Sequence, residues 1–184
     1  LADAMVLKDF QYNGQDSALY DGVMSKVQAM QNAGNGYIQG ITGTFAADLS
    51  EQFSFVSTAT WSYGRYRDPA MGDTLVPMDH IPPAYGRTTL AWHHKKARAE
   101  CYALYNGWKH LKDYSPSGED NLQYATSYGM PSWITLNLKA SWQAARRLSI
   151  QAGMENILDT HYRYFASGIS APGRNVVLSL RSSF

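Results

Sequence analysis

One cysteine, Cys101, is the only thiol in this sequence, which excludes an intrachain disulfide and any zinc cluster built on cysteine. Charge is sparse and balanced. Charged residues make up 17% of the chain and the formal net charge is +1, so the clustered basic face of a nucleic-acid binder is not expected. No stretch approaches the roughly 18 consecutive apolar residues that a membrane-crossing helix needs. The opening residues 1–10 have neither the basic n-region nor the apolar h-region of a signal peptide. They begin without Met and run straight into alternation, so a targeting segment and much more of the protein are expected upstream. Catalytic signatures are missing as well. There is no Gly-x-Ser-x-Gly elbow, and Ser167 and Ser170 sit in a Gly-rich stretch without a visible base. His93 and His94 are neighbours, so on a strand they face opposite sides and cannot chelate one metal together. Neither an enzyme, a metal centre nor a cofactor is expected.

What the chain has in plenty is aromatic residues, at 13%, with tyrosine far ahead of the rest. Tyr and Trp combine an apolar body with a polar tip, which suits a surface that is apolar but meets water at defined edges. A soluble Tyr-rich β domain has the same totals, so the order of the residues must decide. Period-2 alternation dominates the second half. Ile134, Leu136, Leu138, Ala140 and Trp142 alternate with Thr135, Asn137, Lys139 and Ser141. Leu148, Ile150, Ala152 and Met154 alternate with Ser149, Gln151, Gly153 and Glu155. In the last segment Val176, Leu178, Leu180 and Phe184 share one face, opposite Asn175, Ser179, Arg181 and Ser183. These are strands with two different faces, each about 9–11 residues long, the length that crosses a bilayer at a barrel's tilt.

The connections sharpen the reading. Short links at 48–51, 94–97 and 143–147 alternate with long ones near 64–85, 109–131 and 157–173, which are rich in Gly, Pro, Asp, Ser and Tyr. Short periplasmic turns and long external loops in strict alternation describe an outer-membrane barrel; a β-sandwich has no reason to sort its loops this way. Counting back from the C-terminus gives strands at 174–184, 148–156, 132–142, 98–108, 85–94 and 52–63. Before them come one long descending strand at 23–47, bent or bulged around 32–36, and a rising strand at 1–10. That leaves 11–22 as an external loop and makes about eight strands. Aromatic residues cluster near the strand ends, with Trp61, Tyr63, Tyr105, Trp108 and Trp133 outside and Phe53, Trp142 and Phe184 toward the periplasm, as interface girdles require.

Several segments resemble one family. Glu155-Asn156-Ile157-Leu158-Asp159 followed by Tyr162 is similar to the G-x-E-N-L-x-D-x-x-Y segment of TonB-dependent outer-membrane receptors. Ser167-Gly168-Ile169 with Pro172-Gly173-Arg174-Asn175 resembles their S-G-I-x-x-P-G-R-N loop, which a final alternating strand ending in Phe follows. Ile81-Pro82-Pro83-Ala84-Tyr85-Gly86-Arg87 resembles the I-P-P-x-x-G-R entry to a late barrel strand, and residues 27–40 resemble the bent strand before the last three hairpins. The wording is most like receptors of the Bacteroidetes type. The resemblance implies an all-β, antiparallel up-and-down transmembrane barrel of about 22 strands around a plug, of which residues 1–184 are about the last eight strands. It implies TonB-dependent uptake of a large, scarce nutrient such as a siderophore, haem or cobalamin across the outer membrane. TonB would act through the absent plug, and no cofactor is needed in this part. A self-contained small barrel serving as adhesin or anchor is the alternative, and a soluble sandwich is a third.

On this reading Asn137, Lys139, Gln151, Glu155, Arg174, Asn175 and Arg181 are candidates for the polar inner wall that meets the plug, with Arg174 and Asn175 bonding into the plug or an adjacent loop. Tyr66, Tyr114, Tyr124, Tyr128 and His161 are candidates for contact with ligand from the external loops. Haem receptors resemble the family and use histidine ligands, which adds His80 and His110 to His161, although an exposed or hydrogen-bonded loop histidine is the commoner case. Phe184 anchors the periplasmic interface in lipid, and the resemblance implies that it also presents the last strand to the barrel-assembly machinery.

Overall fold

The computed structural model describes residues 5–32, 35–68 and 71–183. Among them are twelve strands, two short 3-10 turns and no α-helix. Seven strands form an antiparallel sheet in chain order: β5 (Gly36–Asp48), β6 (Phe53–Asp68), β8 (Tyr85–His94), β9 (Ala97–Asn106), β10 (Trp133–Ala145), β11 (Leu148–Glu155) and β12 (Asn175–Ser182). An eighth, β7 (Thr74–Pro77), folds back on the far end of β6, pairing Asp68 with Thr74 and Arg65 with Pro77. The short links close one end of the sheet and the long ones gather at the other. β6 and β10 both outrun their expected ends. β6 continues past Gly64 because the start of β5 pairs with Arg65 and Tyr66 on one side and β7 on the other, and the Asn35 carbonyl accepts from Arg67 N at 2.9 Å. β10 reaches Ala145 through a register shift between Gln143 and Ala145.

The N-terminal region departs from expectation. β1 (Met5–Asp9) pairs with β4 (Gln28–Asn32), and β2 (Ser17–Tyr20) pairs with β3 (Val23–Lys26), in two ladders separate from the sheet. Two bonds join the ladders end to end: Phe10 N donates to the Val27 carbonyl at 3.0 Å and Val27 N to the Asp16 carbonyl at 2.9 Å. The result is one long hairpin arm. Residues 11–22 are therefore largely paired rather than an irregular loop. The rising strand at 5–9 belongs to the arm and not beside β5, and the expected long descent is divided into β3, β4 and β5. The sheet has eight strands, as expected, but its eighth is the short β7 on the β8 side of β6 and not the strand expected at 1–10, so β5 is left as the edge. β4 and β5 do not pair with each other; the bend expected around 32–36 falls partly on residues outside those described. Lys8 Nζ, 2.6 Å from Asp68 Oδ1, ties the arm to the end of β6.

The two faces of the sheet are set by its register. Trp92, Ala99, Ala140, Ala152 and Leu178 stand in one cross-strand row on the apolar face. The next row is Leu90, Cys101, Leu138, Met154 and Val176. These side chains are not a core. Leu178 is 70% exposed, Phe45 64% and Trp142 54%, while the buried hydrophobic residues among those described are Tyr66, Val76, Ala91 and Tyr114 alone. A soluble sandwich covers its apolar face with a second layer; here that face is uncovered over the width of the sheet, far beyond the patch size water tolerates. Hydrocarbon is the solvent it fits. The opposite face carries Thr and Ser pairs such as Thr42–Thr60 at 3.0 Å and Thr44–Thr58 at 3.1 Å. Phe184 lies outside the described residues, so its expected anchoring and assembly roles are not located structurally.

Candidate functional site

The polar face becomes charged where β8 to β12 meet. Register places Ala91, Glu100, Lys139 and Gly153 in one row, and His93, Arg98, Ser141, Gln151 and Ser179 in the next. Glu100 accepts from Arg98 at 2.9 Å and lies 3.6 Å from Arg87. The Arg87 guanidinium sits 4.0 Å over the ring of Tyr102, with its Nε donating to Thr89 Oγ1 at 3.1 Å. A hollow of about 230 Å³ opens beside this cluster, framed by Arg87, Tyr102, Lys139, Gln151, Glu155 and Ser179. Three of the inner-wall candidates, Lys139, Gln151 and Glu155, thus line one hollow. Asn175, opposite Glu155, donates to it at 3.4 Å, and Arg181 stands on the same face across from Ser149. Sequence reading missed Arg87, Glu100 and Tyr102, though their alternate spacing on β8 and β9 carries the same inward signal.

Asn137 is different. Its side chain is buried and used inside the wall: Nδ2 donates to the Tyr102 carbonyl at 3.2 Å, and Oδ1 accepts from Asn156 N at 2.9 Å. Asn156, at a left-handed φ of 47°, in turn accepts from Thr160 N at 2.9 Å and donates to the Thr160 carbonyl at 2.9 Å and that of Pro172 at 3.3 Å. Asp159 Oδ1 accepts from Arg174 N at 2.9 Å, while Arg174 Nε donates to the Ile157 carbonyl at 3.0 Å. The two motifs that carry the family resemblance therefore form a clasp across the base of the β11–β12 loop. Arg174 bonds into its adjacent loop.

Beyond the sheet the three long loops pack into a cap. Asp120, only 2% exposed, accepts from His80 N and Ser115 N, each at 2.8 Å. Ser117 Oγ donates to Asp79. Lys109 is buried, with Nζ donating to the Ile81 carbonyl at 2.5 Å and lying 4.5 Å over the Phe165 ring. Burial holds its ammonium below the usual lysine range, while the charges of Asp120 and Asp113 oppose that shift. Tyr114 meets Phe165 edge-on at 5.3 Å, and Asn121 Nδ2 reaches the Ala166 carbonyl at 2.8 Å. Trp133 joins the last loop to the wall by packing on Tyr162 at 4.2 Å and donating to the Arg163 carbonyl at 3.0 Å.

These contacts divide the ligand candidates. Tyr66 lies in β6 rather than in a loop and is 1% exposed, packed against Val76 and Met78. Tyr114 is buried against Phe165. Both are interior groups of the cap and present no outward face. Tyr124, under the Arg163 guanidinium at 4.6 Å, Tyr128 and His161 are exposed. His80 takes a left-handed backbone and His110 stacks on Trp108 at 6.2 Å; among the described residues no group of three His, Cys, Asp or Glu side chains is placed to hold a metal ion.

No curated protein is similar enough in sequence to match. The copper transporter OprC matches the whole chain at a TM-score of 0.73 and 14% identity. The ferric enterobactin receptor PfeA of Pseudomonas aeruginosa, as its G324V mutant, matches it at 0.67 and 18%. A PfeA complex with BCV-L6 matches equally well. The chain spans 27% of the first two proteins and 28% of the third, and at such identities the likeness shows the fold. The profile described as TonB dependent receptor-like, beta-barrel matches residues 6–157, and on that match the chain belongs to the TonB-dependent receptor β-barrel family of the bacterial outer membrane.

Proposed function

We propose that this chain is the C-terminal part of a plugged barrel of about 22 strands that imports a large, scarce nutrient across the outer membrane at the expense of TonB. The observation that carries the reading is the division of the sheet: an uncovered apolar face backed by a charged, hydrogen-bonding one with Arg87, Glu100, Lys139 and Glu155 around a hollow. A hydrated inner wall of that kind suits a folded plug that must slide past it, because polar contacts exchange with water at little net cost.

The cargo belongs to the class of metal chelates and similar compounds, siderophore-iron, haem or cobalamin. The solved relatives, named for copper and for ferric enterobactin, support that class. Exposed Tyr124, Tyr128 and His161 are the cap groups offered to it, and Lys139, Gln151, Glu155, Asn175 and Arg181 are the wall groups offered to the plug. Phe184 is proposed as the residue read by the barrel-assembly machinery. The test is uptake of labelled ferric siderophore, haem and cobalamin by cells carrying the full receptor, with and without TonB. Accumulation of one of them that disappears without TonB is the expected result. Uptake that persists without TonB, or no uptake of any member of the class, overturns the proposal.

A further inference from the structure

The charges of the polar face are sorted along the strands. From β8 to β12, Glu100 and Glu155 stand one and two rows above the row of His93, Arg98, Ser141, Gln151 and Ser179. Toward the short turns the charged residues that follow on these strands are Lys95, Lys96, Arg146, Arg147 and Arg181, all cations. Lys95 and Lys96 share one recess of about 320 Å³ with His93, Arg98, Ser141, Ser149 and Gln151. A backbone bond holds its two sides together, since Gln143 N donates to the Lys96 carbonyl at 2.8 Å. Ser149, in the lining, stands opposite Arg181 in the β11–β12 register.

In this recess the cations outnumber their partners. Arg98 Nε lies 2.9 Å from Glu100, which Arg87 also approaches at 3.6 Å. Lys95 and Lys96 are exposed and are not among the ion-paired cations of the described residues. The β5–β6 link carries Asp48 and Glu51, and neither lines the recess. Lys95 moreover holds a φ of 49°, a conformation in which Gly or Asn is the low-strain choice for a two-residue turn. Ammonium groups flanked by serine hydroxyls and a glutamine amide suit a carboxylate, whose oxygens accept several donors at once. The recess opens on the polar face, which lipid does not reach, and at the end of the sheet that in this family meets the periplasm.

We infer that this recess seats an acidic segment of the plug, with an Asp or Glu carboxylate against Lys95 and Lys96 at the periplasmic mouth of the barrel. The inference rests on the plugged-barrel part of the proposed function and not on the cargo.

The full-length receptor in nanodiscs is treated with a carbodiimide, which joins a lysine Nζ to a carboxylate in contact with it, and the joined peptides are identified by mass spectrometry. Lys95 or Lys96 is expected to be joined to an Asp or Glu of the plug, with a yield that falls about threefold or more in about 1 M salt. In K95Q/K96Q, amide exchange in the joined plug segment quickens about tenfold while the rest of the plug keeps its protection. K95R/K96R, which keeps the charge but cannot be joined, exchanges as wild type does. Lysines joined only to Asp48 or Glu51, or to no carboxylate, overturn the inference, as does a plug whose exchange ignores K95Q/K96Q. A receptor that joins as expected and imports none of the tested cargoes loses the transport reading and keeps this one. TonB-dependent uptake with unjoined lysines does the reverse.

Discussion

Tyr105 lies across Gly86 on the lipid face and donates from its hydroxyl to the Thr58 carbonyl at 3.2 Å, so that one side chain of β9 spans β8 to reach β6. A Cβ at position 86 would run into both the Tyr105 ring and the Thr58 carbonyl. The glycine is thus the floor on which the ring rests, the arrangement by which an aromatic residue covers a bare strand position. Gly86→Val is expected to displace Tyr105 and destabilise the barrel by about 1–3 kcal/mol. Urea unfolding, followed by the gel shift between folded and unfolded barrel, measures it. An unchanged midpoint would show that the ring moves aside freely.

Asp120 gives a second prediction. It satisfies backbone N–H groups from two different loops, those of the buried Ser115 and of His80, and its charge favours the Lys109 ammonium. Asp120→Ala leaves both donors without their acceptor, at about 1–3 kcal/mol for the buried Ser115 N–H. The expected outcome is loss of amide protection at His80 and Ser115 and new protease cleavage in residues 107–132, with the strands still protected. Cleavage confined to the wild-type pattern would refute the interlocked cap.

The cap should also answer to alkaline pH with two opposite slopes. The lowered pKa of Lys109 means that the unfolded cap binds more protons than the folded one between the depressed value and 10.5, so cap stability rises with pH through that window. Burial pushes Tyr162 up to about 12, with Tyr164 adding to the shift. Its contribution is complete below pH 10 and is lost as pH rises from 10 to about 12. Lys109→Met is expected to flatten the rise, and Tyr162→Phe to flatten the fall. Thermal melts followed by Trp133 fluorescence, from pH 8 to 12, read both; parallel profiles for variant and wild type would refute either assignment.

The clasp supplies the fourth. Asn156→Ala removes the bonds to the Thr160 amide and the Thr160 and Pro172 carbonyls and places alanine at a φ of 47°. A loss of about 2 kcal/mol or more is expected, seen as fast hydrogen exchange at the Thr160 amide. Asn156→Gly, which restores the backbone freedom without the side chain, should recover only part of it.

The strands of the sheet were legible because each carries its own two-faced alternation and is bounded by turn residues. β8 is the clearest case, entered through Pro82-Pro83 and left through Lys95-Lys96, and its expected bounds match those observed. The end of β6 was not legible, since Gly64 and Arg65-Tyr66-Arg67-Asp68 interrupt the alternation and it is pairing with the start of β5, Asn35 and β7 that makes that stretch a strand. The arm was missed for a related reason: a two-stranded ladder with water on both sides imposes no apolar face on its sequence. On the wall, alternation put Lys139, Gln151 and Glu155 on the polar face, where they line one hollow, but it could not separate Asn137, which has the same parity and a different task. The cap was out of reach. Tyr66, Tyr114 and Lys109 are interior because loops distant in sequence close over them, and no local pattern records such a closure.

The clasp at the base of the β11–β12 loop has a consequence for how such a receptor changes over time. Asn156, Asp159 and Arg174 hold the two ends of the loop at a fixed span whatever lies between them. Lengthening a loop whose ends are already pinned costs only about 0.6 kcal/mol per doubling. The tip can therefore diversify, gaining or losing residues as new compounds appear outside the cell, while the strands beneath it remain in register. The clasp insulates a fast-changing surface from a slow-changing wall.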